Sequence, residues 1–196
     1  MGCGDGLFFP ELETFGSVCG VETDDRIVDP NGPFFDRIHL GCFDDSYQTD
    51  QQFDWIVMLD VLEHIPDAIT ALKKARDLLN PSGRMLLTVP AFNLLWTKHD
   101  DFNHHITRYT KRLIRQQTSK AGFEIENQHY LFHWTFPAKL LVRLKEKLSP
   151  AAPKPASLPG KVSNAILKTL CRFEQATLTP LRPPFGSSLV VSLRKK

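Results

Sequence analysis

A glycine-spaced opening, Met1-Gly2-Cys3-Gly4-Asp5-Gly6, runs directly into the apolar Leu7-Phe8-Phe9 and restricts the fold more than any other stretch of the chain. A G-x-G-x-G loop lets the backbone pass close to a ligand, because glycine has no Cβ and tolerates unusual φ. Loops of this kind sit between a buried strand and a helix N-terminus, where their amides face a nucleotide. Here the chain begins at the loop. The sequence therefore reads as truncated before it, and the sheet is expected to lack its first strand. The strands on either side of that place are expected to carry unpaired edges, which favour instability and edge-to-edge aggregation.

The remaining pattern supports a nucleotide-type sheet. Short apolar runs cover residues 17–22 (SVCGVE), 37–41 (RIHLG), 53–59 (FDWIVML), 84–89 (RMLLTV), 123–131 and 187–193 (SSLVVSL). Helical periodicity covers 67–79, with Asp67 as N-cap, and 110–120. Asn80-Pro81-Ser82-Gly83 is expected to stop the first of these helices. Strands alternating with helices predict an α/β, Rossmann-like, doubly wound and mostly parallel sheet. Two amphipathic helices, near 136–148 and 162–178, flank a Pro-rich linker at 149–159 and read as a helical insertion before the last strand. The expected organisation is a core over 1–133, a basic insertion over 134–186 and a final core strand over 187–196.

With 196 residues, 42% hydrophobic and 23% charged, the chain can bury one real core. No stretch has the 18 or so consecutive apolar residues of a membrane span, and no secretory pattern is visible. The four cysteines show no C-x-x-C spacing and read as free thiols of a reducing compartment. Charge is uneven: residues 1–133 hold 12 Lys and Arg against 20 Asp and Glu, and residues 134–196 hold 12 against 2. The basic part suggests an anionic neighbour, either a membrane surface or a phosphorylated substrate; a solvated basic face is the competing reading.

Glu22 ends the 17–22 run, about where doubly wound folds place an acid on the ribose hydroxyls. Taken together, Gly2-Cys3-Gly4-Asp5-Gly6, Val21-Glu22, the stretch Leu59-Asp60-Val61-Leu62-Glu63-His64 after the 53–59 strand, and Leu79-Asn80-Pro81-Ser82-Gly83-Arg84 resemble the motifs of class I S-adenosylmethionine-dependent methyltransferases. The resemblance covers residues 1 to about 131 and the last strand. It implies S-adenosylmethionine as cofactor, held by Gly2, Cys3, Gly4, Asp5, Gly6, Glu22, Cys42, Phe43 and Asp60. It implies methyl transfer to a small-molecule, sugar or lipid-linked acceptor, with no nucleic-acid partner.

A narrower similarity, to a bacterial subgroup, rests on Val89-Pro90-Ala91-Phe92, Leu95-Trp96, His99-Asp100, His105, Arg108-Tyr109-Thr110 and the 184–189 stretch PFGSSL. The chain departs from its relatives at Thr107, where the subgroup has a second Arg, and at Cys42-Phe43, where many relatives carry an acid near the adenine. Asp100, His105, Arg108 and Tyr109 are expected as acceptor contacts at the C-terminal edge of the sheet. His64, His99 and His105 are the candidate general bases, with loop bracing as the competing role of His64 and a surface turn as that of His99-Asp100. His104, His105 and His99 share no tight ligand spacing with a carboxylate or Cys, so no metal is expected. The alternatives are a degenerate, non-catalytic partner subunit and an NAD-dependent oxidoreductase, the latter disfavoured by G-x-G-x-G in place of G-x-G-x-x-G. The expected location is cytoplasmic. The basic C-terminal helices add peripheral contact with the inner membrane face as one reading and packing on their own domain as the other.

Overall fold

A computed structural model describes residues 1–44, 46–148 and 160–196. The expected linker at 149–159 lies outside the described residues. Two parallel strands, β1 (Gly20–Glu22) and β2 (Ile38–Leu40), form one small sheet. A second sheet has four strands, β3 (Phe53–Leu59), β4 (Leu79–Pro90), β5 (Phe123–Leu131) and β6 (Ser188–Lys195), in the order β3-β4-β6-β5. β3 and β4 run parallel, and β6 runs antiparallel to both β4 and β5. This is the mostly parallel Rossmann-like arrangement expected, with its last strand reversed.

Among the described residues no strand pairs with both β1 and β3 to join the two sheets. Three residues cross the interval instead. The Met1 amino group donates to the Val57 carbonyl at 2.9 Å. The Gly2 and Cys3 amides donate to Val21 at 2.8 and 3.4 Å. The glycine loop thus ties the small sheet to the large one. The helix after it, α1 (Phe9–Leu12), is a single turn.

The other helices follow their sequence signals. α2 (Ala68–Asp77) starts where the Asp67 carboxylate accepts from the Thr70 amide at 3.0 Å. It buries Ala68, Leu72 and Ala75 in one cluster with Met58, Met85 and Leu87 of the sheet, and Ala71 is buried as well. α4 (Lys111–Lys120) is capped in the same way by Thr110. The Asn80–Gly83 stretch does not act as a turn outside the sheet. Helix α2 ends at Asp77, and β4 already begins at Leu79, paired with Phe53, before a register shift to Trp55 opposite Arg84. An irregularity in the strand absorbs the Pro and Gly.

Between β5 and β6 come α5 (Thr135–Leu148) and α6 (Lys161–Thr177). No side chain of α5 is fully buried. Its Arg143 donates to the Asn93 carbonyl at 2.9 Å, and its Glu146 accepts from the Lys98 amide at 3.0 Å. α6 is pinned by Glu174, whose Oε1 lies 3.0 Å from His133 Nδ1; both side chains are buried.

Candidate active site

The glycine loop reaches its shape through positive φ at Gly2, Gly4 and Gly6. At Gly2 a Cβ would lie 2.5 Å from Val61 Cγ2, so only glycine lets the loop seat against the segment after β3. At Gly4 the case differs. A Cβ there would meet nothing nearer than Ile27 Cδ1 at 4.0 Å, so the backbone faces open space. Glu22, buried at the end of β1, holds the loop in place. Its Oε2 accepts from the Gly4 amide at 2.8 Å, and its Oε1 accepts from the Thr23 and Asp24 amides at 2.8 and 3.1 Å. Asp5 points elsewhere and accepts from the Asp29 amide at 2.9 Å, bracing the 24–32 segment. The Cys3 thiol is pushed up by partial burial. An open backbone cradle beside a fixed carboxylate matches what a nucleoside with a ribose diol needs.

The other residues expected at the cofactor fall in two places, the segment after β2 and the end of β3. Cys42 is exposed after β2. Phe43 packs on Tyr47, with ring centroids 5.6 Å apart, and Lys74 Nζ lies 5.9 Å above its ring. Asp60 directly follows β3 at φ 52°, its amide donating to the carbonyl and hydroxyl of Thr88 at 3.0 and 3.1 Å.

A second constellation forms across the turn after β3 and the segment after β4. α3 (Lys98–Phe102) begins with a capping box in which the Thr97 amide donates to Asp100 Oδ2 at 2.8 Å. Asp100, with no exposed surface, also receives Arg108: Nε at 2.8 Å on Oδ1 and Nη2 at 3.1 Å on Oδ2. His105 Nδ1 lies 2.8 Å from the same Oδ1. Burial alone would raise the Asp100 carboxyl, but the Arg108 guanidinium and the Thr97 amide outweigh it and hold it below the usual carboxylate range. Burial lowers His105, and the Asp100 charge offsets this only in part. A carboxylate can only accept, so the neutral His105 ring donates from Nδ1 and keeps a lone pair on Nε2.

Of the four residues expected as acceptor contacts, only His105 keeps partial exposure. Asp100 is fully enclosed, Arg108 is 3% exposed and Tyr109 is 1% exposed. The third nitrogen of Arg108, Nη1, donates to the Ala91 carbonyl at 3.0 Å, and the Tyr109 hydroxyl donates to the Leu62 carbonyl at 3.3 Å. These three brace His105 and the turn after β3. His64 is brought to the same place, its ring in edge contact with His105 at 4.9 Å. His99 is not: it is exposed, with Nε2 2.9 Å from Asn103 Nδ2.

Two residues of the site carried no functional reading in the sequence. Glu63 is 1% exposed, and neither of its carboxyl oxygens has a partner among the described residues. Burial, with Asp60 nearby, pushes its carboxyl up to about 8. Its position between Leu62 and His64 was the available signal. Lys139 of α5 is lowered by burial and by the Arg108 charge, against the opposing pull of Asp100 and Asp60. Its place in a basic helix hid it.

A methyltransferase-domain family model matches residues 1–128. The ubiquinone biosynthesis O-methyltransferase of Coxiella burnetii is 30% identical over 95 residues, 45% of this chain and 41% of that protein. The match thus spans about two-fifths of the curated relative. Among solved structures, an S-adenosylmethionine-dependent methyltransferase from Archaeoglobus fulgidus aligns with TM-score 0.60 at 15% identity, over 99% of this chain and 83% of that one. Phosphoethanolamine N-methyltransferase 2 of Haemonchus contortus, solved with S-adenosylmethionine, aligns with TM-score 0.57 at 15% identity, over 99% of this chain and 47% of that one. With the family match covering well over half of the sequence, the chain belongs to the methyltransferase-domain family.

Proposed function

We propose that the chain transfers a methyl group from S-adenosylmethionine to a hydroxyl oxygen of a small-molecule acceptor. The observation that carries this reading is the open cradle at Gly4 beside Glu22, backed through Gly2 against Val61, with a group formed by the buried Glu63, the half-buried His105 and the exposed His64. When bound, the cofactor supplies a sulfonium methyl whose bonding pair stays on sulfur. The chain supplies the rest. Gly2, Cys3, Gly4 and Gly6 present backbone to the cofactor, Glu22 meets the ribose diol with its remaining lone pairs, and Phe43 offers an apolar face to the adenine. Asp60 stands where the two halves of the site meet. On the acceptor side the hydroxyl loses its proton to the Glu63, His64 and His105 group as the oxygen–methyl bond forms. Positioning contributes most of the rate in such a transfer, and proton removal adds to it.

An oxygen acceptor agrees with the curated relative, named as an O-methyltransferase. A lipid-linked acceptor is favoured by α5 and α6. Leu141, Leu144 and Leu148 of α5, and Ile166, Leu170 and Phe173 of α6, are exposed among Arg143, Lys145, Lys147, Lys168 and Arg172. Apolar side chains set among cations suit an anionic membrane surface, at which the chain would meet such a substrate. No helix among the described residues is long and apolar enough to cross a membrane.

Calorimetry with S-adenosylmethionine and with NAD tests the cofactor. Saturable binding of the first alone is expected; binding of NAD alone overturns the reading. Methyl transfer to phenolic or catecholic acceptors, followed with labelled cofactor, separates an enzyme from a binding-only relative.

A further inference from the structure

We propose that Glu63, His64 and His105 form a binding site for a divalent first-row transition-metal ion. The sequence offered no carboxylate at ligand spacing to the His99–His105 stretch. The fold supplies one by bringing the turn after β3 against that stretch, where the Ile106 amide donates to the Glu63 carbonyl at 2.8 Å. One carboxylate oxygen of Glu63 and one ring nitrogen from each of His64 and His105 lie within 4.8 Å of one another.

Three features make this more than a coincidence of ligand types. The Glu63 carboxyl is almost wholly buried and neither oxygen is hydrogen-bonded among the described residues, an arrangement that proteins ordinarily avoid. A cation would satisfy it. His105 has its Nδ1 fixed on Asp100 at 2.8 Å, which turns Nε2 into the ligating nitrogen. Carboxylate–histidine–metal relays are built in this way, and Arg108 and Thr97 fix the outer carboxylate in turn. His64 is exposed, so its ring can swing inward. That movement is needed, because ligand atoms around an ion at ~2.1 Å sit only about 3–3.5 Å apart.

Two imidazoles and one carboxylate leave coordination positions open. The site adjoins the proposed acceptor side, so an acceptor hydroxyl can occupy one of them. This role rests on the proposed methyl transfer; the binding of the ion does not. A bound ion lowers the pKa of a coordinated hydroxyl, and the proton passes to solvent. Where the ion is bound, Glu63 and both histidines act as its ligands, and this route replaces the direct proton transfer to the same group in the metal-free site. Vicinal hydroxyls, which can chelate, become the preferred acceptor class.

Co²⁺ titration of the tag-free, chelator-stripped protein, read by visible d–d absorption, tests the site. One equivalent per chain is expected to bind. Glu63→Gln, His64→Ala and His105→Ala should each weaken binding at least 10-fold, whereas His99→Ala should leave it unchanged. Circular dichroism checks that each variant is folded, and His64→Ala, at an exposed side chain, keeps the test decisive if Glu63→Gln is not. No saturable binding up to millimolar Co²⁺, or binding that survives all three substitutions, overturns the proposal. Calorimetry with S-adenosylmethionine on the same metal-free protein reports separately on the methyl-transfer reading. Each proposal can therefore fail without the other.

Discussion

Arg108 grips both oxygens of Asp100, with Nε 2.8 Å from Oδ1 and Nη2 3.1 Å from Oδ2, and the same Oδ1 lies 2.8 Å from His105 Nδ1. The orientation of the imidazole is thereby set by a guanidinium that is itself 3% exposed. A planar fork cannot be reproduced by an ammonium. Arg108→Lys keeps the charge and loses the geometry. It is expected to lower kcat at least 10-fold while changing the Kd for S-adenosylmethionine less than 2-fold, with a stability loss of about 1–3 kcal/mol. Steady-state kinetics, calorimetry and denaturation check the three parts. An equal fall in turnover and cofactor affinity would mean that the segment only supports the fold.

Glu22→Ala removes the acceptor of the Gly4, Thr23 and Asp24 amides. Cofactor binding should weaken by about 1–3 kcal/mol, the usual cost of lost hydrogen bonds to a buried partner. Calorimetry reads it directly. Unchanged affinity would show that Glu22 shapes the loop without meeting the ribose.

Glu174→Ala should release α6 from the sheet. The His133–Glu174 pair is buried on both sides, so removing one member leaves the other without its partner in the interior. A loss of about 2–4 kcal/mol is expected. Limited proteolysis should then cut within Lys161–Thr177, whereas Glu174→Gln, which keeps a hydrogen bond, should resist better.

Co-sedimentation with vesicles tests the exposed faces of α5 and α6. Binding to vesicles with ~30% anionic lipid should fall with salt and should drop when Lys145 and Lys147 are both changed to Glu. Equal recovery with neutral and anionic vesicles would leave these helices without a membrane role.

His129 is held below the usual imidazole range by burial, then by Arg182 and Lys111. The fold therefore favours its neutral form. Its contribution is fully present above about pH 6.5, the unfolded value, and is lost as pH falls through the lower folded value. Melting temperature followed from pH 7.5 to 5 should decline less steeply in His129→Gln than in the parent chain.

Much of the architecture was legible in the sequence. Local signals carried it: the Asp67 and Thr110 caps, the apolar run at 53–59, and the glycine loop. The extent of the first strands was less so, since only Gly20–Glu22 of the 17–22 run pairs. Ladder length depends on a neighbour, and among the described residues the neighbour is β2 alone. The site was legible as a region but not in its pairings. His99 and Asp100 are adjacent in the sequence, yet Asp100 pairs with His105 five residues on, across the end of α3. Glu63 was hidden because its significance lies in lacking a hydrogen-bond partner, a property of the folded surroundings. Nothing local linked His133 to Glu174, separated by 41 residues.

The crossing at Met1–Cys3 gives ligand binding a mechanical meaning. Among the described residues the small sheet and the large sheet share no ladder, and the two acids that would grip a cofactor from either side, Glu22 at the end of β1 and Asp60 just past β3, sit at strand ends of different sheets. A molecule touching both acts as a clamp between two otherwise loosely joined plates. Heat applied to the free chain should part the plates at that seam, and saturating cofactor should make them melt as one unit.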